Sequence, residues 1–170
     1  MFYLDTNIIL SYTHKTEELH WQAKNLIENL EGKFYASPFS ILELYCVVSR
    51  NIGKYKLPLP HFWRLGENKK VKTVVENAIR SLNLTVCSDD TANKEIEWLS
   101  AKVFSIYFDA IRLASKVKLR TGDILHVAYA CQLKKEGKIE YIVSLDDDFQ
   151  KKEELIENET GIKLLPGNLQ

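Results

Sequence analysis

The chain has 170 residues, 45% of them hydrophobic and 27% charged, a balance that builds one packed domain and excludes a disordered chain. Its 23 basic and 23 acidic residues cancel, so no global positive field draws it to nucleic acid, and any such affinity has to come from local patches. Two basic runs exist: Arg50 to Lys72 carries seven Lys or Arg against Glu67, and Arg112 to Lys138 carries seven against Asp123 and Glu136.

In chain order, Phe2-Tyr3-Leu4 is a short β-prone run that stops at Asp5-Thr6-Asn7, and Ile8-Ile9-Leu10 begins a helix capped by Asp or Thr. From Glu18 to Leu30, apolar residues at 19, 23, 26, 27 and 30 repeat with helical spacing until Gly32. Lys33 to Ala36 reads as a second strand. Ser37-Pro38 is an N-cap followed by proline at the first helical position, launching a helix through Glu43 to Val48 with almost no polar face. Leu57-Pro58-Leu59-Pro60 breaks the pattern, and Asn51 to Asn68 is expected to be surface-exposed and variable before a helix from about Lys70 to Leu82.

Leu84 to Cys87 reads as a third strand, and Ser88 to Thr91 as the turn and cap of one long helical region reaching Val117. A helix from about Asp123 to Lys135, a strand over Tyr141 to Leu145, a last helix and the apolar Ile162 to Leu165 complete the chain. Strands alternating with helices imply an α/β class, a central parallel sheet with helices on both faces. One domain over 1–170 is expected, with a variable insertion around 51–72. Cys46, Cys87 and Cys131 lie far apart in apolar surroundings, which suits reduced core thiols. With no basic leader and no run of about 20 apolar residues, a cytoplasmic location is expected.

Asp5 and Asp146 both follow strands, where open α/β sheets bind ligands, although each is also explained as a helix cap. Asp123 opens the apolar Ile124 to Ala130 helix and is open to the same two explanations. Glu43 is the more informative acid: on so apolar a helix it must reach a polar edge or find a strong partner. Four carboxylates converging on one edge need cations to stay ionised, and hard oxygen ligands select Mg²⁺ or Mn²⁺. Such a site suits phosphodiester hydrolysis. None of His14, His20, His61 and His126 has a nucleophile partner in sequence, and His126 reads as a hydrogen-bonded residue near the core rather than a catalytic base.

Four segments together resemble the PIN-domain family: Leu4-Asp5-Thr6-Asn7, Glu43 within Ser40 to Leu44, Asp123 within Gly122 to Ala128, and Asp146 within Ser144 to Phe149. The match spans almost the whole chain. It implies a PIN fold and a ribonuclease dependent on Mg²⁺ or Mn²⁺, with Asp5, Glu43, Asp123 and Asp146 as the metal site. Thr6, Asn7 and Ser144 are implied as supporting polar residues and Asp148 as an auxiliary acid, with Asp147 solvated. Small family members similar to VapC-type toxins cleave RNA and are silenced by an antitoxin. An RNA substrate, an antitoxin partner and a homodimer with the Phe62-Trp63 region as a contributor are therefore expectations, as is a non-toxin role in RNA processing.

Lys54, Lys56, Arg64, Lys69, Lys70 and Lys72, interleaved with Tyr55, Phe62 and Trp63, offer phosphate contacts and stacking platforms for single-stranded RNA, or equally a solvated loop whose aromatics pack inward. Two other readings compete. A haloacid dehalogenase-type phosphatase also places an aspartate after its first strand, but asks for a second acid where this chain has Asn7. A PIN-like module that binds RNA or protein without cutting would not require all four acids.

Overall fold

The computed structural model describes residues 1–166; the last four residues of the expected domain lie outside the described residues. Five strands form one parallel sheet: β1 (Phe2–Leu4), β2 (Phe34–Ala36), β3 (Thr85–Val86), β6 (Tyr141–Val143) and β7 (Lys163–Leu165), in the order β3-β2-β1-β6-β7. The expected α/β class, a single domain with helices on both faces, is what forms. The apolar Ile162 to Leu165 segment supplies the fifth strand.

Side chains on β1 alternate between the two faces, as a two-residue period requires. Phe2 and Leu4 join a core with α1 (Thr6–Thr13), α2 (His20–Glu28), α3 (Pro38–Arg50) and α4 (Glu67–Ser81). Tyr3 joins the opposite core with α5 (Ser105–Val117), α6 (Thr121–Lys135) and α8 (Glu153–Thr160). α6 buries residues on nearly every side, from Ile124 through Leu133, which is why its sequence shows no clean polar stripe.

Local chemistry sets the helix starts. Asp5 caps α1 by accepting from the Thr6 amide, and Ser37 caps α3 through a reciprocal pair with Ser40, with Pro38 behind it. Asp146 caps the short α7 (Asp147–Gln150) by accepting from the Asp148 amide. Asp5 and Asp146 are therefore the caps that the sequence suggests, whereas Asp123 is not: Arg120 stands at the N-cap of α6 and Asp123 lies within its first turn.

Three expectations fail. The region from Thr91 to Val117 is not one helix: Asn93–Ile96 and Ala101–Phe104 form an antiparallel hairpin, β4 and β5, and only then does α5 begin. The connection is a 3₁₀ turn over Glu97–Leu99 closed by Ser100 in the left-handed region, so no glycine marks the reversal. Asn51 to Asn68 is not uniformly exposed, because Tyr55, Leu57 and Phe62 are each at most 7% accessible and pack into the core beneath α1 and α4. Cys46 is exposed rather than a core thiol, whereas burial raises the pKa of Cys87 and Cys131 to about 11 and keeps both protonated. α3 correspondingly exposes Leu42, Tyr45 and Cys46, so its apolar sequence does not reflect burial all round. No helix among the described residues is long and apolar enough to cross a membrane.

Candidate metal centre

The sheet order reverses direction at β1, whose neighbours β2 and β6 lie on opposite sides, and crevices at such points are where open α/β sheets bind ligands. Asp5 follows β1 and its amide bonds to the Val143 carbonyl at the end of β6, which brings Ser144 and Asp146 to the same edge. Glu43 reaches this edge from the second turn of α3 and Asp123 from the first turn of α6. Gly122 permits the approach of those two helices: a Cβ there would lie 3.3 Å from Glu43 Oε1. All four predicted acids line one opening of about 220 Å³ with Thr6, Asn7, Leu10, Val47 and His126.

The inner half of the site is held by buried donors, with Glu43 itself half-buried. Asp5, 5% exposed, accepts from the Thr6 amide at 2.6 Å and from the Ser144 hydroxyl at 2.8 Å. Glu43 Oε2 accepts from the Thr6 hydroxyl at 2.7 Å. Between them sits His126, with Nε2 2.7 Å from Glu43 Oε2 and 3.2 Å from Asp5 Oδ1. Ionised carboxylates only accept, so this nitrogen carries the hydrogen. The other ring nitrogen lies 2.7 Å from the Tyr3 hydroxyl, which in turn contacts the Ser37 and Ser40 hydroxyls at 2.9 and 3.2 Å. A fully buried chain thus runs from the α3 cap to the acids.

The electrostatics of this trio point one way. Burial, reinforced by Glu43, raises the Asp5 carboxyl despite His126, Ser144 and Thr6. Burial would lower His126, but the Asp5, Glu43 and Asp123 charges and the bond to Glu43 outweigh it and hold the ring above its ordinary value. Burial would also raise Glu43, yet His126 and Thr6 keep it low. Together the three groups retain a proton that an open carboxylate pair would release.

The outer half is built differently. Asp123 is raised by burial and by the Asp5 and Asp146 charges, against the pull of Arg120. Arg120 Nε lies 3.1 Å from Asp123 Oδ2, and one terminal nitrogen lies 3.0 Å from Asp146 Oδ2 and 3.3 Å from Asp148 Oδ2. This arginine side chain is 66% exposed. Asp147 is exposed, as expected of a solvated acid.

A divalent cation fits the donor set. Asp5, Glu43 and His126 each offer a ligand atom, all within 4.8 Å of one another, and Asp123 and Asp146 line the same opening. Asn7 donates weakly to Ser144 at 3.4 Å, while its buried Oδ1 has no hydrogen-bond partner, an orphan acceptor of the kind a cation's water shell satisfies.

The expected RNA contacts are not gathered at this opening. Lys54 and Lys56 line a separate cleft of about 710 Å³ with Thr13, His14 and Lys15 at the end of α1. Lys54 pairs with Glu17 at 2.9 Å, and Lys56 lies over the Trp63 ring at 5.8 Å. Tyr55 and Phe62 are core residues, so of the three aromatics only Trp63 is available for stacking or association. Arg64 and Lys69 are exposed, Lys70 is partly so, and none of them lines the acidic opening.

Two residues outside the expected set belong to the site. His126 was placed near the core, which it is, but its contact with both inner acids was not foreseen; it sits one turn after Asp123, on the same face of α6. Arg120 was counted only within a basic run, although its spacing of three from Asp123 is that of an ion pair on one helical turn.

No curated protein matches the sequence significantly. Solved structures similar in fold include the sarcin–ricin loop cleaving toxin VapC20 of Mycobacterium tuberculosis, at 15% identity and a TM-score of 0.57 over 89% of this chain and 94% of that one. Another is VapBC2 of Rickettsia felis bound to a DNA fragment from its promoter, at 15% identity and a TM-score of 0.52 over 96% of this chain and 97% of that one. The sequence pattern of the PIN domain matches residues 2–155, and with the sheet order and site geometry above, the chain belongs to the PIN domain family.

Proposed function

We propose that the protein is a metal-dependent endoribonuclease in which Asp5, Glu43, Asp123 and Asp146 hold Mg²⁺ or Mn²⁺. The observation that carries this reading is the convergence of acids from four separated segments on one small opening, with only His126 and Arg120, among the described residues, as protein cations against them. When bound, a divalent cation supplies an activated water and neutralises charge on the attacked phosphate. Ser144 and Thr6 fix the orientation of Asp5 and Glu43, Asn7 offers its unpartnered carbonyl to a water, and Asp148 extends the acidic rim. His126, anchored by Tyr3, holds Asp5 and Glu43 together at the position where they would hold the cation.

The toxin similarities support a toxin of a toxin–antitoxin pair, with RNA as substrate, a cognate antitoxin as partner, a homodimer as the assembly and the cytoplasm as its setting. Residues around 51–72 are read as a family-variable insertion, now with its own buried anchors in Tyr55, Leu57 and Phe62. The phosphatase alternative has no support at its discriminating position, where Asn7 faces Ser144.

The test is cleavage of an unstructured RNA with Mn²⁺ or Mg²⁺ by the intact chain, Asp5→Asn and Asp123→Asn. Cleavage only by the intact chain, abolished by chelation and leaving a 5′-phosphate and 3′-hydroxyl, is the expected result. Equal cleavage by all three, or a 2′,3′-cyclic phosphate product, would sink the site assignment.

A further inference from the structure

We propose that Arg120 is an exchangeable counter-ion: it neutralises the outer acids when no metal is bound and turns to the scissile phosphodiester of the substrate when a metal takes those acids. The inference rests on the ribonuclease reading and adds to it a phosphate-binding residue.

The backbone of Arg120 is fixed and its side chain is not. Its carbonyl accepts the Ile124 amide at 2.9 Å as the first hydrogen bond of α6, so the root of the side chain is tied to the helix that carries Asp123 and His126. From there a side chain two-thirds exposed overall carries a guanidinium that spans Asp123, Asp146 and Asp148 at 3.0 to 3.3 Å. Ion pairs this exposed are weak and are readily replaced by a stronger cation. Among the described residues no other ammonium or guanidinium lies within 4 Å of Asp123 or Asp146, and no lysine or arginine lines the opening itself.

Those facts impose a choice of partner. A divalent cation and a guanidinium competing for the same carboxylate oxygens repel each other, so loading the acids weakens the hold on Arg120 without moving its root. The released group remains at the mouth of the site, where an incoming phosphodiester brings negative charge. A planar guanidinium offers two parallel N–H donors that match two non-bridging phosphate oxygens, whereas a lysine offers a point charge. The fold thus keeps a phosphate ligand within reach of the acids while they are free of metal.

The counter-ion and clamp roles make opposite predictions for one substitution. Mn²⁺ calorimetry on Arg120→Ala should show binding about three- to tenfold tighter than in the unsubstituted chain, because a competing cation has been removed. Single-turnover cleavage of single-stranded RNA at saturating Mn²⁺ should nevertheless slow by roughly tenfold or more, the scale of losing one preorganised charge donor. Arg120→Lys should keep the Mn²⁺ affinity near that of the unsubstituted chain and recover only part of the rate, and its melting temperature controls for folding. Weaker Mn²⁺ binding by Arg120→Ala would overturn the proposal and make the arginine a support for the carboxylates. Unchanged cleavage at saturating Mn²⁺ would overturn the clamp. Absence of cleavage by the unsubstituted chain would overturn the ribonuclease reading and the clamp together, and is told apart because it does not depend on residue 120.

Discussion

The inner and outer halves of the acidic opening solve the same electrostatic problem with opposite means. Asp5 and Glu43 are held by buried donors on fixed backbone, Thr6, Ser144 and a histidine that is itself anchored through Tyr3 to the cap of α3. Asp123 is held by one exposed arginine, which Asp146 shares beside its capping bond from the Asp148 amide. A buried hydrogen-bonded charge is costly to disturb, since removing one partner strands the rest, while an exposed ion pair contributes little and exchanges freely. The inner half therefore reads as preorganised and the outer half as the side through which charge enters and leaves.

The contrast is broken most severely at Asp5. Asp5→Asn keeps the shape of the cap but removes a ligand charge, and RNA cleavage is expected to fall about a thousandfold or more, the rate equivalent of several kcal/mol of lost charge stabilisation. Next comes Tyr3→Phe, which touches none of the acids yet removes the buried hydroxyl that His126 Nδ1, Ser37 and Ser40 share. Urea unfolding should show a loss of about 1–3 kcal/mol, and cleavage should drop roughly tenfold to a hundredfold as the positioning of His126 loosens. A Tyr3→Phe chain with full stability would mean the chain of hydroxyls does not hold the inner half.

Two of the three buried histidines sharpen the comparison. His126, facing acids, is held above its ordinary value. His14, in contact with the Tyr55 ring at a centroid distance of 4.6 Å, is lowered to about 4 by burial, with Lys54 and His20 adding to the effect and Glu17 opposing it. The unfolded chain takes up this proton near the ordinary 6.5 but the folded chain only near 4. The contribution of His14 to stability is therefore complete above pH 6.5 and is lost as the pH falls toward 4. Thermal melts across that window should show the decline, and His14→Phe should flatten it. The smallest effect is expected at the rim: Asp148→Asn should change stability by less than about 1 kcal/mol, and less again at high salt.

The order of these effects follows how deeply each residue is tied into the fold, and that same property governs how much could be read in advance. Asp5, Ser37, Glu43, Asp123 and Asp146 were legible because each sits at a strand end, a cap or an anomalous place on an apolar helix, all local patterns. Ser144 and Thr6 were named only through the family resemblance, as polar residues near the first and last acids. The Tyr3–His126 contact was not legible, because it joins residues 123 positions apart and no local pattern specifies which face of α6 meets β1. The hairpin of β4 and β5 was read as helix because its only buried strand residue is Ile96 and its reversal uses Ser100 in a left-handed conformation without glycine. Residues 51–68 were read as exposed from their charge and prolines, yet Tyr55 and Phe62 fill the core.

The central claim is that acids from β1, α3, α6 and the end of β6 form one cation site. Anomalous diffraction from a crystal soaked in Mn²⁺ tests it most directly. The account predicts a peak in contact with the carboxylate of Asp5 and with at least one of Glu43, Asp123 and Asp146, lost in Asp5→Asn. A Mn²⁺ peak bound elsewhere, or a peak at the opening that persists unchanged in Asp5→Asn, would contradict it.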